Sequence, residues 1–158
     1  MRVAIYPGTF DPVTNGHLDI LERSVALFDK VIIAVALDNY KNSLFDINER
    51  LDMLHAVTSG MEKVEVDLFK GLLVDYCSKK RATAIIRGLR AVSDFEYEFQ
   101  MALMNKKLNG KVETVFLMTS SKYSYISSSI IKQAASLGGC IWGLVPDIVA
   151  NAIAEKYS

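Results

Sequence analysis

The 158-residue sequence has little of what marks secreted, membrane-spanning or nucleic-acid-binding proteins. Its two cysteines, Cys77 and Cys140, form no CxxC pair, which is typical of core-filling thiols in a reducing compartment. Lysine plus arginine and aspartate plus glutamate each number 18, so no excess charge favours a nucleic acid partner. No apolar run reaches the roughly 20 residues of a membrane-spanning helix, and residues 1–3 begin a strand rather than a signal peptide. We therefore expect a cytoplasmic protein with neither a membrane nor a nucleic acid partner.

Three motifs of common nucleotide sites are also missing. The loop after the first predicted strand lacks GxGxxG, which makes a dinucleotide-dependent dehydrogenase a weak alternative, although Asp38 lies near the position of a ribose-binding acid. The absence of a Walker A pattern excludes a P-loop kinase. There is no Asp-x-Asp cluster, so the sequence offers no dedicated carboxylate pair for a divalent cation.

Predicted strands and helices alternate along the whole sequence. With 51% hydrophobic residues, 158 residues suffice for one domain, 1–158, that buries about two-thirds of its unfolded surface. We predict strands at residues 3–6, 31–37, 64–69, 82–86 and 112–118. This pattern predicts an α/β fold with a doubly wound, Rossmann-like five-stranded parallel sheet of order 3-2-1-4-5 and helices on both faces.

Two helix starts are marked by capping-box spacing, at Asp46 with Glu49 and at Ser93 with Glu96. The helix that follows Ser93 carries apolar residues at helical spacing. The residues expected to face the core from this helix are Phe95, Phe99, Ala102 and Leu103.

Polar motifs follow strands one, four and five, whose carboxyl ends meet at one edge of such a sheet, where α/β proteins bind ligands. Residues 9–17 lead from strand one into an amphipathic helix that begins near Gly16 and His17. A helix N-terminus attracts phosphate, and an imidazole there adds a group for phosphate chemistry. The alternative is that Pro12, Asn15 and Gly16 only shape a turn, but the strand context and the later motifs favour a phosphate site.

Arg87, Gly88 and Arg90 follow the fourth predicted strand. We expect Gly88 to let the backbone turn sharply after the strand, so that both guanidinium groups reach the crevice and bind phosphate. The alternative is a pair of solvated surface arginines, with Arg90 paired to Asp94 or Glu96.

Residues 123–129 follow the fifth strand and precede another helix. One serine would suffice to cap that helix, and three consecutive serines favour a second phosphate cradle. Tyr123 and Tyr125 are either packing partners for a planar base or ordinary loop aromatics. Lys132 lies one turn into the helix, where it either approaches the phosphates or has no part in binding.

Three segments together resemble the bacterial phosphopantetheine adenylyltransferases of the nucleotidyltransferase superfamily. They are Tyr-Pro-Gly-Thr-Phe-Asp-Pro-x-Thr-Asn-Gly-His at 6–17, Ile-Arg-Gly-Leu-Arg-Ala-Val-x-Asp-Phe-Glu-Tyr-Glu at 86–98 and Ile-Ser-Ser-Ser at 126–129. The resemblance extends over essentially the whole chain. It implies transfer of adenylate from ATP to 4′-phosphopantetheine, giving dephospho-coenzyme A and pyrophosphate. It also implies Mg²⁺ as cofactor, a cytoplasmic location and a homohexamer.

The resemblance also implies a role for individual residues. The implied ATP-binding residues are Thr9, Phe10, His17, Gly88, Leu89, Arg90, Glu98, Tyr123, Ser124, Tyr125, Ile126, Ser127, Ser128 and Ser129. The implied phosphopantetheine-binding residues are Thr9, Lys41, Leu73 and Arg87.

The chemistry of the implied reaction assigns His17 a catalytic role. A phosphate monoester has a second pKa of about 6, so this nucleophile is largely dianionic at neutral pH and needs no general base. It needs neutralisation of negative charge and in-line alignment on the α-phosphorus. We expect the helix N-terminus to lower the pKa of His17, leaving a neutral donor that stabilises the transition state. Mg²⁺ is expected to arrive on the ATP phosphates, with no metal site in the protein.

Two departures from the family pattern leave points open. Residues 39–43 stand where the family usually has a lysine pair flanked by prolines, which puts substrate affinity and the order of this loop in doubt but not the reaction. Trp142 is either interface surface or core. A nucleotidyltransferase acting on nicotinamide mononucleotide or using CTP remains the main enzymatic alternative, and a non-catalytic adenine-nucleotide sensor is the alternative from another class.

Overall fold

Five parallel strands form one sheet in the order β3-β2-β1-β4-β5, as the sequence predicts. In this computed structural model, the described residues are 1–37 and 42–158, without the side chains of residues 92 and 93. The strands are β1 Val3–Gly8, β2 Lys30–Ala36, β3 Val64–Phe69, β4 Ala84–Leu89 and β5 Glu113–Met118. The helices are α1 Asn15–Leu27, α2 Ile47–Thr58, α3 Leu73–Lys79, α4 Val92–Leu108, α5 Ser128–Ser136 and α6 Asp147–Lys156.

Buried residues on both faces of the sheet explain the apolar runs of the central strands. Ile5 on β1 pairs in register with Ile32 on β2 and Ile85 on β4, and all three are at most 2% exposed. The larger core cluster contains side chains of α1, α2, α5 and α6, and the smaller one, on the other face, contains Tyr76 and Cys77 of α3. Since β1 and β4 are neighbours, the strand order reverses between them, and a ligand crevice is expected there.

Strand β4 is longer at its carboxyl end than the sequence predicted. It runs to Leu89, and Gly88 pairs in register with Leu117 of β5. The expectation that Gly88 turns the chain after the strand is therefore wrong. A Cβ at position 88 would lie 3.1 Å from Cγ1 of Ile20, so glycine allows α1 to pack closely on the strand.

The two predicted capping boxes have different outcomes. At α2, the Glu49 amide donates to Asp46 Oδ1 at 2.8 Å and the Asp46 amide donates to Glu49 Oε2 at 3.1 Å, which confirms the first box. At α4 the cap position is Ala91, so Ser93 lies inside the first turn and the second prediction is wrong.

The orientation predicted for α4 is also wrong. Phe95, Phe99 and Leu103 are 42%, 46% and 56% exposed, and only Ala102 of the four predicted residues is partly buried. The helix packs on α3, β4 and β5, but several of its large apolar side chains remain exposed.

The remaining predictions from the sequence concern the two cysteines, Trp142 and membrane-spanning helices. Cys77 is buried, as expected of a core thiol, whereas Cys140 is exposed, so the expectation of core filler is wrong for Cys140. Trp142 is 55% exposed, which places it on the surface rather than in the core. Within the described ranges, no helix is both long and apolar enough to cross a bilayer.

Candidate active site

A cleft of about 490 Å³ lies at the carboxyl ends of β1 and β4, where the strand order reverses. It is lined by residues of the loop after β1, the start of α1, the end of β4, α4 and the segment before α5. The three polar motifs that the sequence places at one sheet edge therefore contribute to a single cavity.

The loop after β1 is fixed by an unusual backbone conformation at Phe10. This residue has φ of 50° and is 3% exposed, and its ring meets the His17 ring edge-on with centroids 4.9 Å apart. A Cβ at Gly8 would lie 2.9 Å from the Phe10 ring, so glycine leaves room for the ring. Phe10 lines the cleft, and its ring also packs edge-on against Tyr6, with centroids 5.5 Å apart.

His17 is oriented by the cap of α1. Thr14 is the N-cap residue: its backbone amide donates to His17 Nδ1 at 3.0 Å, and its hydroxyl accepts from the His17 amide at 3.3 Å. Since Nδ1 accepts a hydrogen bond, the ring proton of the neutral imidazole lies on Nε2. His17 lines the cleft and therefore provides it with a neutral N–H donor of fixed tautomer.

The pKa of His17 is lowered to about 4, first because desolvation disfavours the charged imidazole and then because Arg90 and Arg87 are nearby. A lowered pKa of His17 is also what the sequence predicts, but with the helix N-terminus as its cause. The folded protein keeps the imidazole neutral at pH values where a free histidine, with a pKa near 6.5, begins to take up a proton.

The two arginines of the cleft each pair with a carboxylate on α4. Arg87 Nε and Nη2 donate to Glu98 Oε2 and Oε1 at 2.7 and 2.6 Å, and Arg87 Nη1 donates to the Pro7 carbonyl at 3.2 Å. Arg90 Nε donates to Asp94 Oδ2 at 3.0 Å, which is the ion pair that the sequence left open as an alternative. Burial acts to lower the pKa of Arg87, but the Glu98 carboxylate more than offsets it, and the net shift is upward.

The serine segment before α5 is engaged by other parts of the chain. The Ser127 hydroxyl caps α5 by accepting from the Ile130 amide at 3.1 Å, and the Ser128 hydroxyl donates to the Pro12 carbonyl at 2.7 Å. Lys132 Nζ donates to Asp11 Oδ2 at 2.8 Å instead of extending into the cleft. The segment is thereby attached to the loop after β1.

Most residues implied by the resemblance lie together in the cleft. Those that line it are Thr9, Phe10, His17, Arg87, Gly88, Arg90, Glu98, Tyr123, Ile126, Ser127 and Ser128. Leu89, Ser124, Tyr125 and Ser129 are not among the lining residues, and neither is Leu73, which packs against the smaller core cluster. Lys41 lies outside the described residues.

The sequence reasoning missed three buried polar residues that shape the cleft. Thr14 holds the imidazole, and its spacing of three to His17 is the signal that could have identified it. Asp11, 3% exposed, accepts from the amides of Leu44 and Phe45 as well as from Lys132. Arg50, 7% exposed, donates to the Thr9 carbonyl at 3.0 Å. No local pattern signals the last two, because their partners are distant in sequence.

Comparison with known proteins identifies relatives of this chain. Residues 5–134 match the model of the cytidylyltransferase-like family. The phosphopantetheine adenylyltransferase of Moorella thermoacetica is 60% identical over 157 residues, 99% of this chain and 98% of that protein. The phosphopantetheine adenylyltransferase of Caldanaerobacter subterraneus subsp. tengcongensis is 62% identical over 157 residues, with the same coverage of 99% and 98%.

A similar solved structure is that of a putative nicotinate-nucleotide adenylyltransferase from Vibrio parahaemolyticus. It superposes with a TM-score of 0.73 over 98% of this chain and 99% of that chain, at 18% sequence identity. At that identity the likeness shows a shared fold alone. The relatives that match over nearly their whole length, together with the family model, show that the chain belongs to the phosphopantetheine adenylyltransferases of the cytidylyltransferase-like family.

Proposed function

We propose that the chain transfers the adenylyl group of ATP to 4′-phosphopantetheine, giving dephospho-coenzyme A and pyrophosphate in coenzyme A biosynthesis. Membership of the adenylyltransferase family supports the reaction class. The single observation that carries the proposal is the arrangement of the cleft. A neutral His17 with its Nδ1 engaged lies at the start of α1, in the same cleft as Arg87 and Arg90.

In the proposed reaction, an oxygen of the acceptor phosphate attacks the α-phosphorus of ATP. A bond forms between that oxygen and the α-phosphorus as the bond between the α-phosphorus and the bridging oxygen breaks, and pyrophosphate leaves. No proton has to be removed from the dianionic nucleophile, so His17 Nε2–H acts as a hydrogen-bond donor to the α-phosphate in the transition state. The low pKa of His17 favours this role, because its neutral form remains a donor through Nε2.

We assign the two substrates to the two sides of the cleft. ATP would contact Thr9, His17, the end of β4 with Arg90, and the segment 123–128 before α5. The acceptor phosphate would meet Arg87, and the assignments of Lys41 and Leu73 to the acceptor rest on the family resemblance.

We further propose that Mg²⁺ enters as part of Mg·ATP. Within residues 1–37 and 42–158, no group of three or more His, Cys, Asp and Glu side chains is placed to hold a metal ion. The cleft carboxylates Asp94 and Glu98 are paired with arginines. This donor set fits an ion that is held mainly by the ATP phosphates and only neutralises their charge.

We also propose that the chain works in the cytoplasm as a homohexamer. The location rests on the family resemblance and on the unpaired state of Cys77 and Cys140. The assembly is supported by α4, whose exposed apolar side chains would be buried against other copies.

The test of the proposed function is pyrophosphate release from Mg·ATP with and without 4′-phosphopantetheine. Release that depends on phosphopantetheine is the expected result. Parallel reactions with nicotinamide mononucleotide as acceptor and with CTP as donor test the enzymatic alternative, and release in either of them alone would contradict the proposal. A protein that binds ATP but releases no pyrophosphate with any of these acceptors would be a nucleotide sensor.

A further inference from the structure

Helix α4 places two carboxylates, Asp94 and Glu98, one turn apart and opposite the two arginines of the cleft. The two ion pairs differ in geometry. Arg87 and Glu98 form two parallel hydrogen bonds of 2.7 and 2.6 Å, the fork-to-fork arrangement that fixes a guanidinium in its plane. Arg90 and Asp94 form one bond of 3.0 Å and a longer contact of 3.4 Å.

The pairs also differ in their exposure to solvent. The Glu98 side chain is 12% exposed, whereas Asp94 is 27% exposed. A carboxylate shielded to this degree is poorly hydrated and depends on its cationic partner. Both oxygens of Glu98 accept from Arg87, so this carboxylate fixes the plane of the guanidinium.

The bonds to Glu98 and Pro7 use three of the five N–H groups of Arg87. Within the described chain, this leaves one N–H on each terminal nitrogen available to donate to a phosphate oxygen. The bond to the Pro7 carbonyl anchors the guanidinium to β1 on its other side. Arg87 is thus held in position before any ligand binds.

We propose that Glu98 is a positioning residue that fixes the Arg87 guanidinium to receive the phosphate of the acceptor. The proposal rests on the proposed function, because it takes 4′-phosphopantetheine as the ligand of Arg87. It adds to the role in ATP binding that the family resemblance implies for Glu98.

The variant Glu98→Gln keeps the size of the side chain but replaces one acceptor oxygen by an NH₂ group that faces a donor of Arg87. Without this bidentate partner the guanidinium loses its fixed orientation, so we expect the Kd and KM for phosphopantetheine to rise about tenfold. The Kd for ATP is expected to rise less than the Kd for phosphopantetheine, because the effect on the acceptor runs through Arg87. Glu98→Asp keeps the charge and is expected to restore part of the lost affinity.

The experiment measures the binding of ATP and of 4′-phosphopantetheine separately by calorimetry, and pyrophosphate release by steady-state kinetics. The matched control is Glu96→Gln, an exposed carboxylate on the same helix, which is expected to change neither affinity. Thermal unfolding of each variant shows whether it folds. The double variant Arg87→Ala/Glu98→Gln removes both charges and leaves no uncompensated ion. It therefore keeps the test possible if Glu98→Gln alone unfolds.

The outcomes separate this inference from the proposed function. If Glu98 acts through Arg87, the double variant binds phosphopantetheine no more weakly than Arg87→Ala alone. A rise in the ATP Kd as large as that for phosphopantetheine, or additive losses in the double variant, would overturn the positioning role even if the wild-type protein turns over. Wild-type protein that binds phosphopantetheine but releases no pyrophosphate would overturn the function and leave the positioning role to be decided by the binding data. Wild-type protein that does not bind phosphopantetheine would overturn both.

Discussion

At the scale of single residues, the chemistry of the cleft depends on which atoms are already engaged. The imidazole of His17 has one nitrogen held by the Thr14 amide, so only the other can act on a ligand. The low pKa of His17 keeps that nitrogen a neutral donor, which fits transition-state stabilisation better than proton donation at neutral pH.

Replacing His17 by alanine therefore tests this assignment. We expect kcat to fall by about 10²–10³, the usual effect of losing one preorganised donor to developing charge, while the Kd for ATP changes little. Steady-state kinetics and calorimetry with ATP measure the two quantities. His55→Ala is the matched control, because His55 is the other histidine of the chain and is exposed on α2. A large loss of ATP affinity with kcat unchanged would show that His17 binds ATP and does not stabilise the transition state.

Sequence reasoning at this scale finds side chains near the cleft more readily than their partners. His17 and Arg90 are identifiable because each follows a predicted strand within a short motif. The bond from Lys132 to Asp11 is not, because it joins residues 121 positions apart and depends on how α5 packs against the loop after β1. Glu98 was placed near the nucleotide by resemblance, and its bond to Arg87 required the position of α4 in space.

At the scale of secondary-structure elements, β4 and α4 build opposite sides of the arginine site. Because β4 continues to Leu89, Arg87 projects from a paired strand rather than from a loop. Single-sequence patterns mark strand ends poorly here, since Arg87 and Gly88 look like the start of a turn. The strand continues because its neighbour β5 extends alongside it as far as Met118.

The two carboxylates of α4 are expected to affect substrate binding by their arginine partners in different ways. The Asp94 and Arg90 side chains are 27% and 38% exposed, and such a pair contributes at most about 1 kcal/mol, so a nucleotide phosphate can displace the carboxylate at low cost. Asp94→Asn should then lower the KM for ATP by up to about fivefold, measured by initial rates at saturating acceptor. Glu96→Gln on the same helix again serves as the control. A higher KM for ATP in Asp94→Asn would show that Asp94 orients Arg90 instead of competing with the nucleotide.

At the scale of the whole molecule, the strand order and the position of the cleft were predictable from the sequence. Alternating strands and helices with right-handed crossovers leave few arrangements of a five-stranded parallel sheet, and the polar motifs mark one edge of it. The exposure of the α4 apolar residues was not predictable, because helical periodicity does not distinguish a side chain that faces the core from one that remains exposed to solvent. Phe95 illustrates this, since it stacks on Phe99 and approaches Phe116 while remaining 42% exposed.

The apolar surface of α4 leads to a prediction about assembly. Met101, Leu103, Met104 and Leu108 are 41–56% exposed, and apolar residues on several sides of a helix are typical of one that is covered. We expect the wild-type protein to sediment as a species with about six times the 17.6 kDa mass of one chain. Leu103→Glu should shift the protein towards smaller species, because a charge would be buried at the contact. Analytical ultracentrifugation measures both. Leu137→Glu is the matched control, since Leu137 is 81% exposed after α5 and should leave the assembly unchanged. A wild-type protein that sediments as a single chain would contradict the hexamer, and an unchanged assembly in Leu103→Glu would place the contact away from this position on α4.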